Sequence, residues 1–421
     1  MTRTRRPAVL LPAAVLCVCA VVASCGSEPA SVPEAPADAR RLSDAEVERL
    51  RSLGYVDVVE MGDVTLPDGV LRHDPSRSQP GFTLFSNVYG CSAQLMTLEG
   101  EVVNRWSHEP CFKWDNAVLF ENGSLLALHR DPGDGTASGD AASRVLLLFD
   151  WDGKILWRSR LPAHHDVDRR PDGVLVTLSS EHRVIPEIDP VVPTKDHLVV
   201  LLAPDGAVLE AYSMVRLLQS APERFRLAKV GVQIKLGQPR EIDLLHSNSV
   251  QWMRDERLAS ENPLYALSNF LLCVRHQDSV AIVDWDRKEL LWAWGRGELS
   301  GPHDATLLPS GNVLIFDNGL NRGWSRVVEV DPRSDEIVWE YRAAKPEDFY
   351  SRAQGAAQRL PNGNTLITDS DSGLLFEVTP EGETVWEYRN TNRSEKGELI
   401  VIARARRLEG DATVPRFDFS D

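Results

Sequence analysis

The chain has 421 residues, 43% of them hydrophobic and 26% charged, so it can bury a large core and is not a disordered polyelectrolyte. Gly 28 and Pro 26 are ordinary background and exclude collagen-like or Gly/Pro low-complexity architectures. With 62 acidic against 46 basic residues and a net charge of −16, a nucleic-acid partner is disfavoured, because phosphate-backbone affinity depends on Lys and Arg displacing counterions.

Arg3, Arg5 and Arg6 precede an apolar run from Ala8 to Val22, the pattern of an export signal and too short for a bilayer span. Small residues before Cys25 have the form of a bacterial lipobox, so residues 1–24 read as a lipoprotein signal peptide and Cys25 as the lipidated first residue of an exported protein, tethered to a membrane at the cell envelope. An ordinary signal peptide with a chance Cys is the alternative. Residues 25–42, rich in Ala, Pro, Ser and Glu, read as a disordered tether. Ser43 and Glu46 have capping-box spacing, and Val47, Leu50 and Leu53 share a stripe, which predicts a helix over 43–53 within an N-terminal segment ending at 80. In an oxidising compartment Cys91, Cys111 and Cys273 cannot all pair internally; Cys91 with Cys111 is the preferred disulfide, and buried free thiols are the alternative.

From residue 81 to 409 short β-type runs are broken by Asp-Gly, Asn-Gly and Ser-Gly turns, and the runs repeat. HDATLLPSGNVLIFDNG (303–319) and AAQRLPNGNTLITDSDSG (356–373) share one grammar, each followed by a second hairpin ending in Trp339 or Trp386. Each unit is four strands, one propeller blade. Blades near 81–108, 112–160, 164–215, 246–297, 303–343 and 353–390 predict an all-β fold, a six-bladed β-propeller, with ELIVIARARRLE (398–409) closing the first blade and 410–421 a tail. Trp106, Trp157, Trp294, Trp339 and Trp386 end units and are read as packing between blades rather than as ligand contacts.

The first strand of each blade borders the central channel, so residues at its start converge. Counting eight positions back from the turn glycines 173 and 311 gives His165 and His303; the same count from glycines 123 and 363 gives Asp115 and Gly355. The fourth blade opens with His246-Ser247-Asn248, and its next strand leads to Arg275. His164 alternates to the opposite strand face from His165. There is no GxxxxGK[ST], HExxH or GxSxG motif, and no cofactor is indicated. Three imidazoles can bind Zn or Cu, yet an adjacent arginine opposes a cation and favours an anion.

The segments PHDATLLPSGNVLIFDNG, HSNSV, VRHQDSVAIVD and AAQRLPNGNTLITD resemble those of bacterial aryl sulfate sulfotransferases over roughly residues 81–390. The resemblance implies an exported six-bladed propeller that moves a sulfuryl group from a phenolic sulfate ester to a phenolic acceptor without a nucleotide donor. It makes His303 the transiently sulfated nucleophile, His246, Arg275 and His165 its catalytic partners, and Asn248 a substrate contact. Two other readings are a non-catalytic lipoprotein propeller binding a sulfated or phenolic ligand or an envelope partner, and a different propeller enzyme, metal-dependent or hydrolytic.

Overall fold

Strands mostly of four to seven residues, with two longer ones at Leu175–Ile185 and Asp189–Leu202, pair with their sequence neighbours and cannot bury both faces alone, so they stack as sheets around an axis. The structure, a computed structural model, describes residues 67–132, 144–234, 240–393 and 399–410. The export signal, Cys25, the tether and the helix expected over 43–53 lie outside the described residues.

Among the described residues, twenty-five strands form six antiparallel sheets. β1 (Gly69–His73) lies apart from its sequence neighbours. β2 (Phe82–Asn87), β3 (Ser92–Met96) and β4 (Val102–Ser107) make most of the first blade. The second holds β5 (Lys113–Leu119), β6 (Leu125–Arg130), β7 (Arg144–Phe149) and β8 (Ile155–Ser159), and the third β9 (His164–Arg169), β10 (Leu175–Ile185), β11 (Asp189–Leu202) and β12 (Val208–Ser213). The fourth consists of β13 (Ser247–Trp252), β14 (Asn269–Val274), β15 (Ser279–Asp284) and β16 (Glu289–Trp294), and the fifth of β17 (His303–Leu307), β18 (Val313–Asp317), β19 (Arg326–Asp331) and β20 (Glu336–Tyr341). β21 (Ala356–Arg359), β22 (Thr365–Asp369), β23 (Leu374–Val378) and β24 (Thr384–Arg389) complete the sixth. β25 (Ile402–Leu408) pairs with β2 as the inner strand of the first blade. The inner strands β5, β9, β13, β17, β21 and β25 touch one another in a closed ring, so the fold is a six-bladed β-propeller. β1 adds a fifth strand to the outer edge of the last blade, with Val70 opposite Tyr388.

The repeated glycine has a physical reason. Gly123, Gly173, Gly311 and Gly363 sit at φ +76°, +85°, +87° and +90°, where a side chain is strained, and each donates its N–H to the residue three before it. The fourth blade lacks that glycine, and the short helix α2 (Glu256–Glu261), preceded in the chain by α1 (Met214–Gln219), fills the connection; Asp255 caps α2 by accepting from Leu258 N at 3.0 Å. The terminal tryptophans pack between blades: Trp106 Nε1 donates to Asp150 O, Trp294 to Asp335 O, Trp339 to Pro380 O and Trp386 to Leu98 O, each in the next blade's outer turn. Cys91 and Cys111 form a disulfide, and Cys273 is a buried free thiol.

Inner strands leave one row of amides without a ladder partner. Side chains of the preceding blade accept these: Asp166 from Val250 N (3.0 Å), Ser249 from Ala305 N (3.1 Å) and Asp304 from Ala357 N (2.9 Å). Across the channel, Arg404 of β25 bonds Asp166 (2.6 Å) and Asp304 (3.2 Å), and Arg406 bonds Asp304 (2.7 Å). This ionic belt joins blades one, three and five. On its far side from the histidines lies a cavity of about 230 Å³, reaching Asp168, Gln251, Thr306 and Gln358.

Candidate active site

The residues preceding Asp166, Ser249 and Asp304 are positional equivalents, and they are His165, Asn248 and His303. Gly355 holds that place in the sixth blade at φ +139°, where an added Cβ would lie 2.3 Å from the Phe316 ring, so no side chain can enter from there. Nearby, His165, His246 and Asp304 adopt φ of 64°, 45° and 49°, a left-handed conformation costing about 1–3 kcal/mol in non-glycine residues and concentrated at functional sites. The turn at His165 cancels strand alternation. His164, expected on the opposite face, therefore joins the cluster, its Nδ1 2.7 Å from that of His165.

The His165 and His246 ring centroids are 5.0 Å apart, and those of His246 and His276 are 4.5 Å apart. Arg275, 1% exposed, bonds His276 Nε2 through Nη1 at 3.2 Å. Asn248 donates to Pro302 O at 2.8 Å, tying the start of β13 to the residue before His303. Blade two brings Asp115, paired with Lys113 (2.9 Å) and Arg144 (2.6 Å), toward His165.

His303 is held in one tautomer. Asn318 Nδ2 donates to Ser351 O and Gln354 O, both at 2.7 Å, so its Oδ1 is the atom facing His303 Nδ1 at 2.7 Å. An amide oxygen only accepts, so Nδ1 carries the hydrogen and Nε2 the lone pair. Gly301 O, 3.2 Å from Nδ1, supports the same assignment. Burial, then the Arg275 charge, push the His303 pKa down to about 3, keeping the ring neutral at ordinary pH. Burial likewise lowers His165 and His246 well below the usual imidazole range and His276 to about 4. Burial raises Asp243, but Lys195, His246 and the hydrogen bond from His197 overcome it and hold the carboxyl well below its usual value.

Asp243, His246 and His276 offer ligand atoms within 4.8 Å of one another, a metal-compatible spacing. Lys195, 3.8 Å from Asp243, and Arg275 beside His276 set positive charge against a cation there, and the pocket suits an anion better. Sequence reasoning missed Asp243, His276, His197, Lys195 and Asn318. The Asp-x-x-His spacing of 243–246 and the adjacency of 275–276 were the available signals; His197 and Lys195 enter from β11 and had none.

The model of the arylsulfotransferase (ASST) family matches residues 145–391, from the second blade to the end of the sixth. No curated protein matches the chain. Among solved structures, a protein of unknown function from Bacteroides caccae is 15% identical with a TM-score of 0.49, covering 78% of this chain and 98% of its own. A periplasmic gluconolactonase from Pseudomonas aeruginosa is 14% identical with a TM-score of 0.43, covering 78% of this chain and 99% of its own. The match at 145–391 takes in every residue from His165 to His303 described above and spans more than half of the sequence: the chain belongs to the arylsulfotransferase family.

Proposed function

We propose that the chain transfers a sulfuryl group from an aryl sulfate ester to a phenolic acceptor by way of a sulfated His303, with no nucleotide donor. The observation that carries this is the tautomer lock: Asn318 leaves His303 Nε2 with its lone pair, in a buried pocket beside the Arg275 guanidinium. Nε2 attacks sulfur as the S–O(aryl) bond breaks, and the leaving phenolate takes a proton from the imidazolium of His246 or His165. The anionic donor favours that protonated form. An acceptor phenol then returns the proton to the same imidazole, its oxygen bonds sulfur, and the S–N bond breaks to restore neutral His303. Arg275 holds the negative charge on the sulfuryl oxygens, as in other transfers governed by positioning and electrostatics, and Asn248 borders the same space. The Arg-led apolar run and the lipobox before Cys25 support an exported, lipid-anchored enzyme.

The test uses the purified full chain, 4-nitrophenyl sulfate and phenol. Nitrophenolate release that requires the acceptor supports the proposal. Binding of the ester without release, unchanged by His303→Ala, overturns it in favour of a ligand-binding propeller.

A further inference from the structure

Three imidazoles of the pocket converge on one residue. Asp243 is 1% exposed; its Oδ2 lies 2.6 Å from His246 Nδ1, its Oδ1 3.1 Å from His197 Nε2, and its backbone carbonyl 2.6 Å from His276 Nδ1. His276 Nε2 in turn meets Arg275 Nη1 at 3.2 Å. The segment carrying Asp243 is pinned on both sides. Ile242 pairs with β11 through Lys195 N (2.9 Å) and Pro193 O (2.9 Å), Leu244 O accepts from the Gln277 amide (2.8 Å), and Leu245 O accepts from His276 N (3.0 Å).

We propose that Asp243 is the positioning residue of this site: its carboxylate orients His246 and His197, and its carbonyl orients His276, which in turn holds Arg275. The proposal rests on the sulfuryl-transfer reading for its kinetic consequences but not for its geometry. An ionised carboxylate and a carbonyl can only accept hydrogen bonds, so the proton positions follow. His246 and His276 carry hydrogen on Nδ1, and His197 carries it on Nε2. His246 therefore presents its Nε2 lone pair for proton exchange with the phenol. His276 presents its Nε2 lone pair to Arg275 and fixes where the guanidinium stands. One residue thus sets both the proton-transfer group and the anion-holding group. The alternative is that Asp243 serves only to neutralise Lys195, 3.8 Å away.

The first experiment is ¹⁵N NMR of the full chain labelled at histidine, with signals assigned by His246→Gln, His276→Gln and His197→Gln. The expected result is hydrogen on Nδ1 for His246 and His276 and on Nε2 for His197; hydrogen on Nε2 of His246 overturns the proposal. This readout needs no activity, so it stands if sulfuryl transfer fails. The second is the kinetics of Asp243→Asn. An amide offers one acceptor oxygen and one NH2 where two N–H donors now arrive, so one imidazole must change tautomer. We expect kcat to fall about 10²–10³-fold, within the range of lost acid–base function, together with a changed ¹⁵N spectrum. Retention of kcat with only a lowered Tm overturns the proposal. If Asp243→Asn does not fold, His276→Gln tests the second arm: loosening Arg275 should raise KM for 4-nitrophenyl sulfate about tenfold, the effect of one charge-assisted hydrogen bond, with a smaller change in kcat. An unchanged KM overturns that arm.

Discussion

The mouth and the floor of the channel are built from adjacent residues of the same strands. In both His165-Asp166 and His303-Asp304 the histidine faces the mouth and the aspartate belongs to the belt with Arg404. On the floor each carboxylate meets a guanidinium and the next blade's amide. Left-handed backbone is common to both, at His165 and His246 above and at Asp304 below, but at the mouth the buried atoms His164 Nε2, His197 Nδ1, Ser247 Oγ and Asn248 Oδ1 have no hydrogen-bond partner within the protein. The difference teaches which half of each pair holds the ring together and which half is left available for a ligand.

Breaking the two regions separately should give opposite phenotypes. His303→Ala should lower kcat by about 10³-fold or more, since it removes the proposed nucleophile, while leaving the denaturation midpoint close to that of the parent protein. Arg404→Ala should cost about 3–5 kcal/mol of stability by leaving Asp166 as an uncompensated buried charge and Asp304 with Arg406 as its guanidinium partner, measured by urea unfolding. Equal loss of stability in both variants would erase the distinction.

Asn318→Ala sharpens the comparison within the mouth. It frees the His303 ring to adopt either tautomer, and we expect kcat to fall about 10–100-fold with donor KM changed little, a smaller loss than removing the imidazole itself. The pH dependence is gentler. His303 and His276 bind protons only near 3 and 4 in the folded protein, against 6.5 in the unfolded chain. Their stability contribution is therefore complete above about pH 6.5 and is lost as pH falls toward those values. Asp369, raised by burial to about 6, works in the opposite sense, its penalty being relieved on acidification. His303→Gln should therefore lose less stability between pH 6.5 and 4 than the parent protein, read by the midpoint shift across that range.

The blades were legible because each repeats a turn that needs glycine, and β25 was legible because an unpaired inner strand position demanded an occupant. His165 and His303 followed from the same periodicity. Asp243, His197, His276 and Asn318 were not legible, because they reach the site from the third strand of a blade, in the case of His197, or from the connections that precede or follow inner and second strands, where the repeat carries no register. Alternation misplaced His164, since a single left-handed residue at 165 reverses the face. The pairing of β1 with β24 depends on contacts about as distant in sequence as the fold permits, and no local pattern encodes it.

The ionic belt has a consequence for when the enzyme comes alive. Its cations sit on the last strand of the ring, and Arg404 also bears electrostatically on His303. A chain emerging from a ribosome or a translocation channel has displayed every residue of the proposed chemistry by position 318, but the carboxylates of Asp166 and Asp304 beneath them lack their guanidinium partners until residues 402–408 arrive. Closure of the ring is thus also the event that sets the local field, so an unfinished propeller cannot carry a finished active site.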